Sequence, residues 1–302
     1  MTHRATRRAL DLKAAIIVLV LCLIWGAQQV VMKAVAPDVA PTMQLAIRFA
    51  GAAVFFGVWV FVREGREALS DGTLRSGLLL GSMFSLEFVF LGEALAHTTA
   101  AHAIVFLYSA PIFTALGLQF LPEERLRRLQ WAGISVAFLG IVVAFLGRSD
   151  RSTSQLVGGD LLALLGGVSW GLTNVVLRRG RVGYSSTQKT IFYQVGMAAV
   201  LLLAFAAKTG QAGVVLSLRA VLALLFQTVV ISIASYLAWF WLLRHYLASR
   251  LMLLSLLTPI FGVALGALLL REAVDLRFGL GALLVLVGIL SVNARQLLQR
   301  SS

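Results

Sequence analysis

Charge is what this chain has least of. Only 13% of its 302 residues are Asp, Glu, Lys or Arg, and just 13 residues are acidic. With 59% hydrophobic residues and a mean hydropathy of +0.90, so few charges exclude an ordinary water-soluble globular domain and point to a bilayer as solvent. A single cysteine, Cys22, sits in an apolar run, which excludes a disulfide framework. The four histidines show no metal-ligand spacing, so no metal site and no cofactor is expected. The net charge of +13 does not imply nucleic acid, because the Lys and Arg residues are scattered through short loops and leave no domain to dock a duplex. The basic opening before Ala14 looks like a signal-peptide start, but no small-residue cleavage site follows, so it reads as a retained first span.

Long apolar stretches are what the chain does have. Crossing about 30 Å of hydrocarbon takes roughly 20 apolar residues as helix, the form in which a single segment satisfies its own backbone. Ten stretches qualify: Ala14 to Met32, Thr42 to Val62, Ser76 to Leu95, Thr98 to Leu121, Leu126 to Leu146, Val157 to Leu177, Thr187 to Ala207, Leu216 to Leu242, Tyr246 to Leu270 and Leu276 to Asn293. The fold class expected is an all-α membrane protein. With both termini in the cytoplasm, 18 Lys and Arg residues fall on the cytoplasmic side and seven on the other, as positive charge in membrane proteins requires.

The chain also echoes itself. At a constant spacing, His97 to His245, these positions coincide: Ala100/Ala248, Pro111-Ile112-Phe113/Pro259-Ile260-Phe261, Leu121/Leu269, Glu124/Glu272, Gly133/Gly281 and Gly140-Ile141/Gly288-Ile289. A neighbouring register brings Trp25-Gly26 onto Trp170-Gly171, Gln28-Gln29 onto Thr173-Asn174 and Lys33 onto Arg178. The expected units are residues 14–147 and 157–294. Five spans per unit is an odd number, so the second unit enters the membrane upside down; the uncharged turn at His97 and its echo flanked by Arg244 and Arg250 fit that reversal. Inverted-topology repeats are the architecture of secondary transporters, which hold substrate near the midplane.

Ser109-Ala110-Pro111-Ile112-Phe113, Glu124, Gly133 and Gly140, and again Thr258-Pro259-Ile260-Phe261, Glu272, Gly281 and Gly288, resemble the EamA-type module of the drug/metabolite transporter superfamily. Trp25-Gly26 and Arg48-Phe49 resemble it too, while the second half shows Gln194-Val195 where the Arg-Phe pair would recur. The resemblance implies a carrier in a bacterial inner membrane. Its length and basic tail are most similar to exporters of aromatic and other neutral amino acids, with drugs or other metabolites as the alternative cargo.

Candidate site residues follow from what is costly or unusual at mid-depth. Glu87 costs about 2.5 to 3.5 kcal/mol there unless it faces water or a partner, and reads either as a proton-titrating or ammonium-binding group or as a buried carboxyl held by a hydroxyl or backbone group. Arg48 reads either as a partner for a carboxylate or anion in the cavity or as a long stem reaching the outer interface, the structural reading being favoured. Trp25 and Trp170 lie away from the interfacial belts, followed within a turn by Gln28, Gln29 and Asn174; aromatic walls with a few amides suit an apolar side chain on a zwitterion, and equally suit helix packing. Tyr108, Gln227, Tyr236, Trp239 and Ser255, with Ser109 and Thr258, lie at compatible depths. Pro111 and Pro259 interrupt the helix ladder and are hinge or gating candidates. Glu124 and Glu272 read as helix-start and interface residues, and His97, His102 and His245 as solvated span ends. Gly167-Val168-Ser169-Trp170-Gly171 mimics a hydrolase elbow but lies inside an apolar helix with no histidine at its depth, so no enzyme is expected. The expected partners are a small-molecule substrate and the lipid bilayer, and a monomer is compatible with the sequence.

Overall fold

The structure, a computed structural model, describes residues 11–65, 71–120, 128–146, 153–246, 251 and 254–298. Regular structure among them is helical, apart from isolated bridge residues such as the antiparallel pair Val39 and Val214. In order, the helices are α1 (Leu12–Ala34), α2 (Pro41–Glu64), α3 (Leu74–His97), α4 (Ala100–Leu107), α5 (Ala110–Leu118), α6 (Arg128–Leu146), α7 (Thr153–Arg179), α8 (Thr187–Lys208), α9 (Leu218–Leu225), α10 (Ser235–His245), α11 (Leu257–Leu270) and α12 (Leu276–Leu298). A short 3₁₀ turn, Arg181–Tyr184, precedes α8, and a π-helical segment, Phe226–Ala234, joins α9 to α10.

Seven stretches are long and apolar enough to cross a membrane: Leu12–Ala34, Pro41–Glu64, Leu74–His97, Ala100–Leu118, Leu156–Arg179, Thr187–Lys208 and Leu218–Leu242. Arg128–Ala144, Leu257–Leu270 and Leu276–Ser291 are shorter apolar helices. The stretch expected from Tyr246 is helical only from Leu257 onward as a continuous element, after a turn at Leu256; several residues between Tyr246 and Leu254 lie outside the described residues. Leu121, Glu124 and Ala248 lie outside them too. Exposed Val54, Val58, Leu79, Leu139, Val200, Leu222, Val229, Leu268 and Leu283 give the rods an apolar outer surface, the inverse of a soluble protein.

Local chemistry sets the helix starts. Asp11, Thr99, Ser186 and Ser217 each accept a hydrogen bond from an N–H in the first turn, of Ala14, His102, Lys189 and Ala220 respectively. Pro41 and Pro111 occupy the first turn of α2 and α5, where an N–H has no intrahelical acceptor to lose. Pro111 therefore begins a new helix after a break at Tyr108 and Ser109, where the Ser109 hydroxyl donates to the Phe106 carbonyl at 2.6 Å.

Glycines let the helices touch. A Cβ on Gly26 would lie 2.8 Å from the Gly262 nitrogen and 3.0 Å from Phe261 Cβ; one on Gly171 would lie 2.7 Å from Phe113 Cβ. The echoed pairs Gly26/Gly171 and Phe261/Phe113 thus make the same kind of contact twice, α1 on α11 and α7 on α5. Gly140, Gly281 and Gly288, also echoed, join α6 to α12, with Gly140 against the backbone of Gly281 and Val285.

One large core runs through the bundle, from Met32, Leu45, Leu95 and Ala100–Leu107 near the His97 end, through Phe49, Phe84 and Phe88, to Phe56 and Ile191 toward the other, with Ala137, Ala144, Phe278 and Val285 joined to it and Tyr108, Trp170 and Tyr236 packed against it. Toward the end holding His245 there are separate clusters. Val18, Leu21, Cys22, Leu242 and Leu251 pack with Trp25 and Trp239 in one, and Leu80, Val182 and Tyr193 with Val176 and Leu177 in the other.

Candidate functional site

Several polar groups at the His97 end are bonded to one another or to the backbone. Lys33 Nζ donates to the Leu95 carbonyl at 2.9 Å and to that of Thr98. Contrary to the expectation above, Glu272 starts no helix of its own and instead caps another: its carboxylate accepts from the Ala100 and Ala101 N–H groups at 2.8 and 3.0 Å, tying the loop after α11 to the N-terminus of α4. His102 is not solvated. It is buried, stacked on Phe278 at 3.8 Å, with Nδ1 3.0 Å from Asp160 Oδ2, and Thr98 donates to the same carboxylate. His97 and His245 are exposed as expected. Glu93 accepts from Thr42 at 3.1 Å and Gln211 at 2.7 Å. Asp38 binds Arg219 at 2.6 and 2.8 Å and accepts from Ser217; those bonds hold its carboxyl down at about 2.

At the opposite end, Lys189 Nζ donates to Asp71 at 2.5 Å. This bond, with that from Thr73, holds the Asp71 carboxyl down at about 2. Tyr246 donates to Asp11 at 2.8 Å, and Ser186 to Glu64.

Between the ends the side chains are less complete in their bonding. Trp25 lies edge-on to Trp239 at 5.4 Å and donates its indole N–H to Ser235 at 2.9 Å. Tyr108 lies edge-on to Trp170 at 5.3 Å. All four of these aromatics and Tyr236 are half-buried, as are Pro111, Thr114, Asn174 and Ser255. Asn174 donates to Thr114 at 3.1 Å. Gln28 and Gln29 are buried on α1, and the Gln29 carbonyl oxygen has no hydrogen-bond partner. Gln227, on the π segment, donates to Gln44 at 2.8 Å, and Gln44 donates to the carbonyls of Met32 and Val39 at 2.9 and 2.7 Å. One amide the sequence singled out is therefore half of a clasp between α2 and the π segment. Gln44 escaped notice because a lone amide in an apolar helix has no periodic signal.

Arg48 and Glu87 are the two charges at this depth. Arg48 is fully buried, its guanidinium 4.5 Å from the Phe49 ring and 5.1 Å from that of Phe88. Its Nε and Nη1 atoms have no hydrogen-bond partner, and neither has Glu87 Oε2. No ion pair joins the two side chains. Arg48 does not reach the interface, contrary to the reading favoured from sequence.

The family model that matches this chain is that of the EamA-like transporter family, over residues 12–146 and 157–294. The chain belongs to this family. It is a multi-pass membrane transporter within the drug/metabolite transporter superfamily, and EamA-like transporters as a class are not enzymes. The transporter is similar to "Probable amino-acid metabolite efflux pump" proteins of Escherichia coli (29% identical) and Salmonella typhimurium (28%), each match covering 92% of this chain and 93% of the relative. It is 25% identical to an "Uncharacterized transporter" of Archaeoglobus fulgidus over 91% of this chain and 95% of the relative. A crystal structure at 19% identity matches its fold with a TM-score of 0.64 over 95% of this chain and 97% of the other.

Proposed function

We propose that this transporter exports neutral amino acids, aromatic ones included, across the cytoplasmic membrane by alternating access. In this reading ten helices cross the bilayer as two inverted halves, 14–147 and 157–294, with both termini in the cytoplasm. The twice-made contact of Gly26 on Phe261 and Gly171 on Phe113 supports the halves. Lys208 and the start of α1 at Leu12 belong to opposite ends of the bundle, which supports the alternation of spans.

The observation that carries the reading is a set of half-buried aromatics, Trp25, Tyr108, Trp170, Tyr236 and Trp239, of which Trp25 and Trp239 pack in a small cluster toward the His245 end, apart from the main core. In the proposed orientation that is the cytoplasmic side, where an exporter collects cargo. Aromatic walls with amides and few charges fit a net-neutral, partly apolar solute. Sugar phosphates would want several deep cations, and polyvalent cationic drugs several deep carboxylates.

Proteoliposomes loaded with labelled phenylalanine, threonine or methionine test this, with saturable counterflow expected. Movement of a lipophilic cation with no movement of any amino acid would reassign the cargo to drugs. Glu87→Gln is expected to lower amino-acid flux and flatten its dependence on pH.

A further inference from the structure

The unpaired charges at mid-depth point to how the cargo's headgroup is held, an inference that rests on the amino-acid reading above. A buried guanidinium with two nitrogens unbonded and a buried carboxylate with one free oxygen are each costly in a low-dielectric interior. The usual remedy, a direct ion pair, is not made here. Arg48 reaches in from α2 and is fixed by Phe49 and Phe88, which brace the guanidinium rather than offering it an acceptor. Glu87 stands on α3 next to Phe88, over whose ring the Arg48 guanidinium lies, with its backbone carbonyl 3.3 Å from where a Cβ on Gly166 of α7 would be. The other deep ionic groups are engaged elsewhere: Lys33 with the Leu95 and Thr98 carbonyls, Asp160 with Thr98 and His102, Glu272 with the α4 N-terminus.

A species that satisfies both groups at once must carry one negative and one positive charge a short distance apart. We propose that Arg48 and Glu87 form a clamp for the zwitterionic headgroup of an α-amino acid, with the guanidinium bonding the carboxylate and Glu87 bonding the ammonium. The half-buried ring faces of Tyr108, Trp170 and Tyr236 then flank the side chain. A simple cation or a simple anion completes only one of the two groups and leaves the other unpaired, so it is rejected. Affinity resides in the headgroup, which all neutral amino acids share, and the aromatic wall admits side chains of varied size.

The test is competition against phenylalanine counterflow in proteoliposomes. The competitors are phenylalaninamide, which lacks the carboxylate, and 3-phenylpropionate, which lacks the ammonium. Each is expected to compete at least about tenfold more weakly than phenylalanine in the unaltered protein, because each leaves a buried charge without its partner. The substitutions then act crosswise. Arg48→Gln narrows the gap between phenylalanine and its amide, and Glu87→Gln narrows the gap to phenylpropionate. A merely structural role would lower all fluxes together and leave both ratios alone. Should a variant fail to fold, the competition in the unaltered protein decides by itself. Phenylalanine transport with equal competition by either truncated analogue overturns the clamp alone, as do folded variants whose ratios stay unchanged. No movement of any amino acid overturns the export reading, and the clamp with it.

Discussion

Removing the carboxylate of Glu272 should open the His97 end. That side chain bridges the loop after α11 to the first turn of α4 through bonds of 2.8 and 3.0 Å to Ala100 and Ala101. Hydrogen bonds to a charged group are worth about 1.5 to 3 kcal/mol each, and the carboxylate also sits on the positive end of the α4 dipole. In an opened state water would replace much of this, because Glu272 is only partly buried. A net loss of about 2 kcal/mol is then reasonable, and at 1.4 kcal/mol per factor of ten it raises the population open at that end about 30-fold. Ile104, fully buried on α4 against Gly262, is a suitable reporter. An Ile104→Cys, Cys22→Ser protein would be treated with a membrane-impermeant thiol reagent from the His97 side, with and without Glu272→Ala. Labelling should quicken by one to two orders of magnitude in the variant. An unchanged labelling rate in a variant that still transports would show that Glu272 does not hold this end shut.

Three further outcomes are expected. Gly171→Leu should lower the thermal midpoint in detergent sharply, overpacking costing about 1 to 3 kcal/mol or more where Phe113 and Thr114 leave no room, whereas Gly158→Ala, with nothing within 4 Å of its added carbon, should leave it unchanged. Because Asp71 is held below the ordinary carboxylate range by Lys189, its contribution to stability is full above about pH 4 and is lost as pH falls toward 2; Asp71→Asn should lower stability at neutral pH and remove that acid dependence, read by unfolding across pH. Trp25→Phe keeps the ring contact with Trp239 but deletes the bond to Ser235, and should weaken amino-acid counterflow several-fold with little change in thermal midpoint.

Much of the helical plan was legible because lipid imposes a simple rule: each long apolar run closes its own backbone bonds. The echoed glycines were legible as marks of the repeat, and the structure gives them their use, since only a residue without a side chain lets two backbones approach as Gly140 and Gly281 do. The aromatic candidates came together for a related reason, being large groups placed away from the interfacial belts. What failed was any statement about partners. His102 read as a solvated span end and is locked to Asp160; Glu272 read as the start of its own helix and caps another; Gln227 read as a ligand group and holds Gln44. The π-helical turn in Phe226–Ala234, which carries Gln227 and Ser232, has no counterpart in the hydropathy pattern.

Composition and periodicity alone thus determined that this chain lives in a bilayer as apolar helices and that its halves repeat, because those properties depend on residue type and spacing along one strand of chain. Tertiary structure alone decided which charges are neutralised by neighbours and which are left bare. Pairing depends on distances between helices far apart in sequence, and no local pattern records that Lys33 finds carbonyl oxygens while Arg48 and Glu87, at mid-depth, do not find each other.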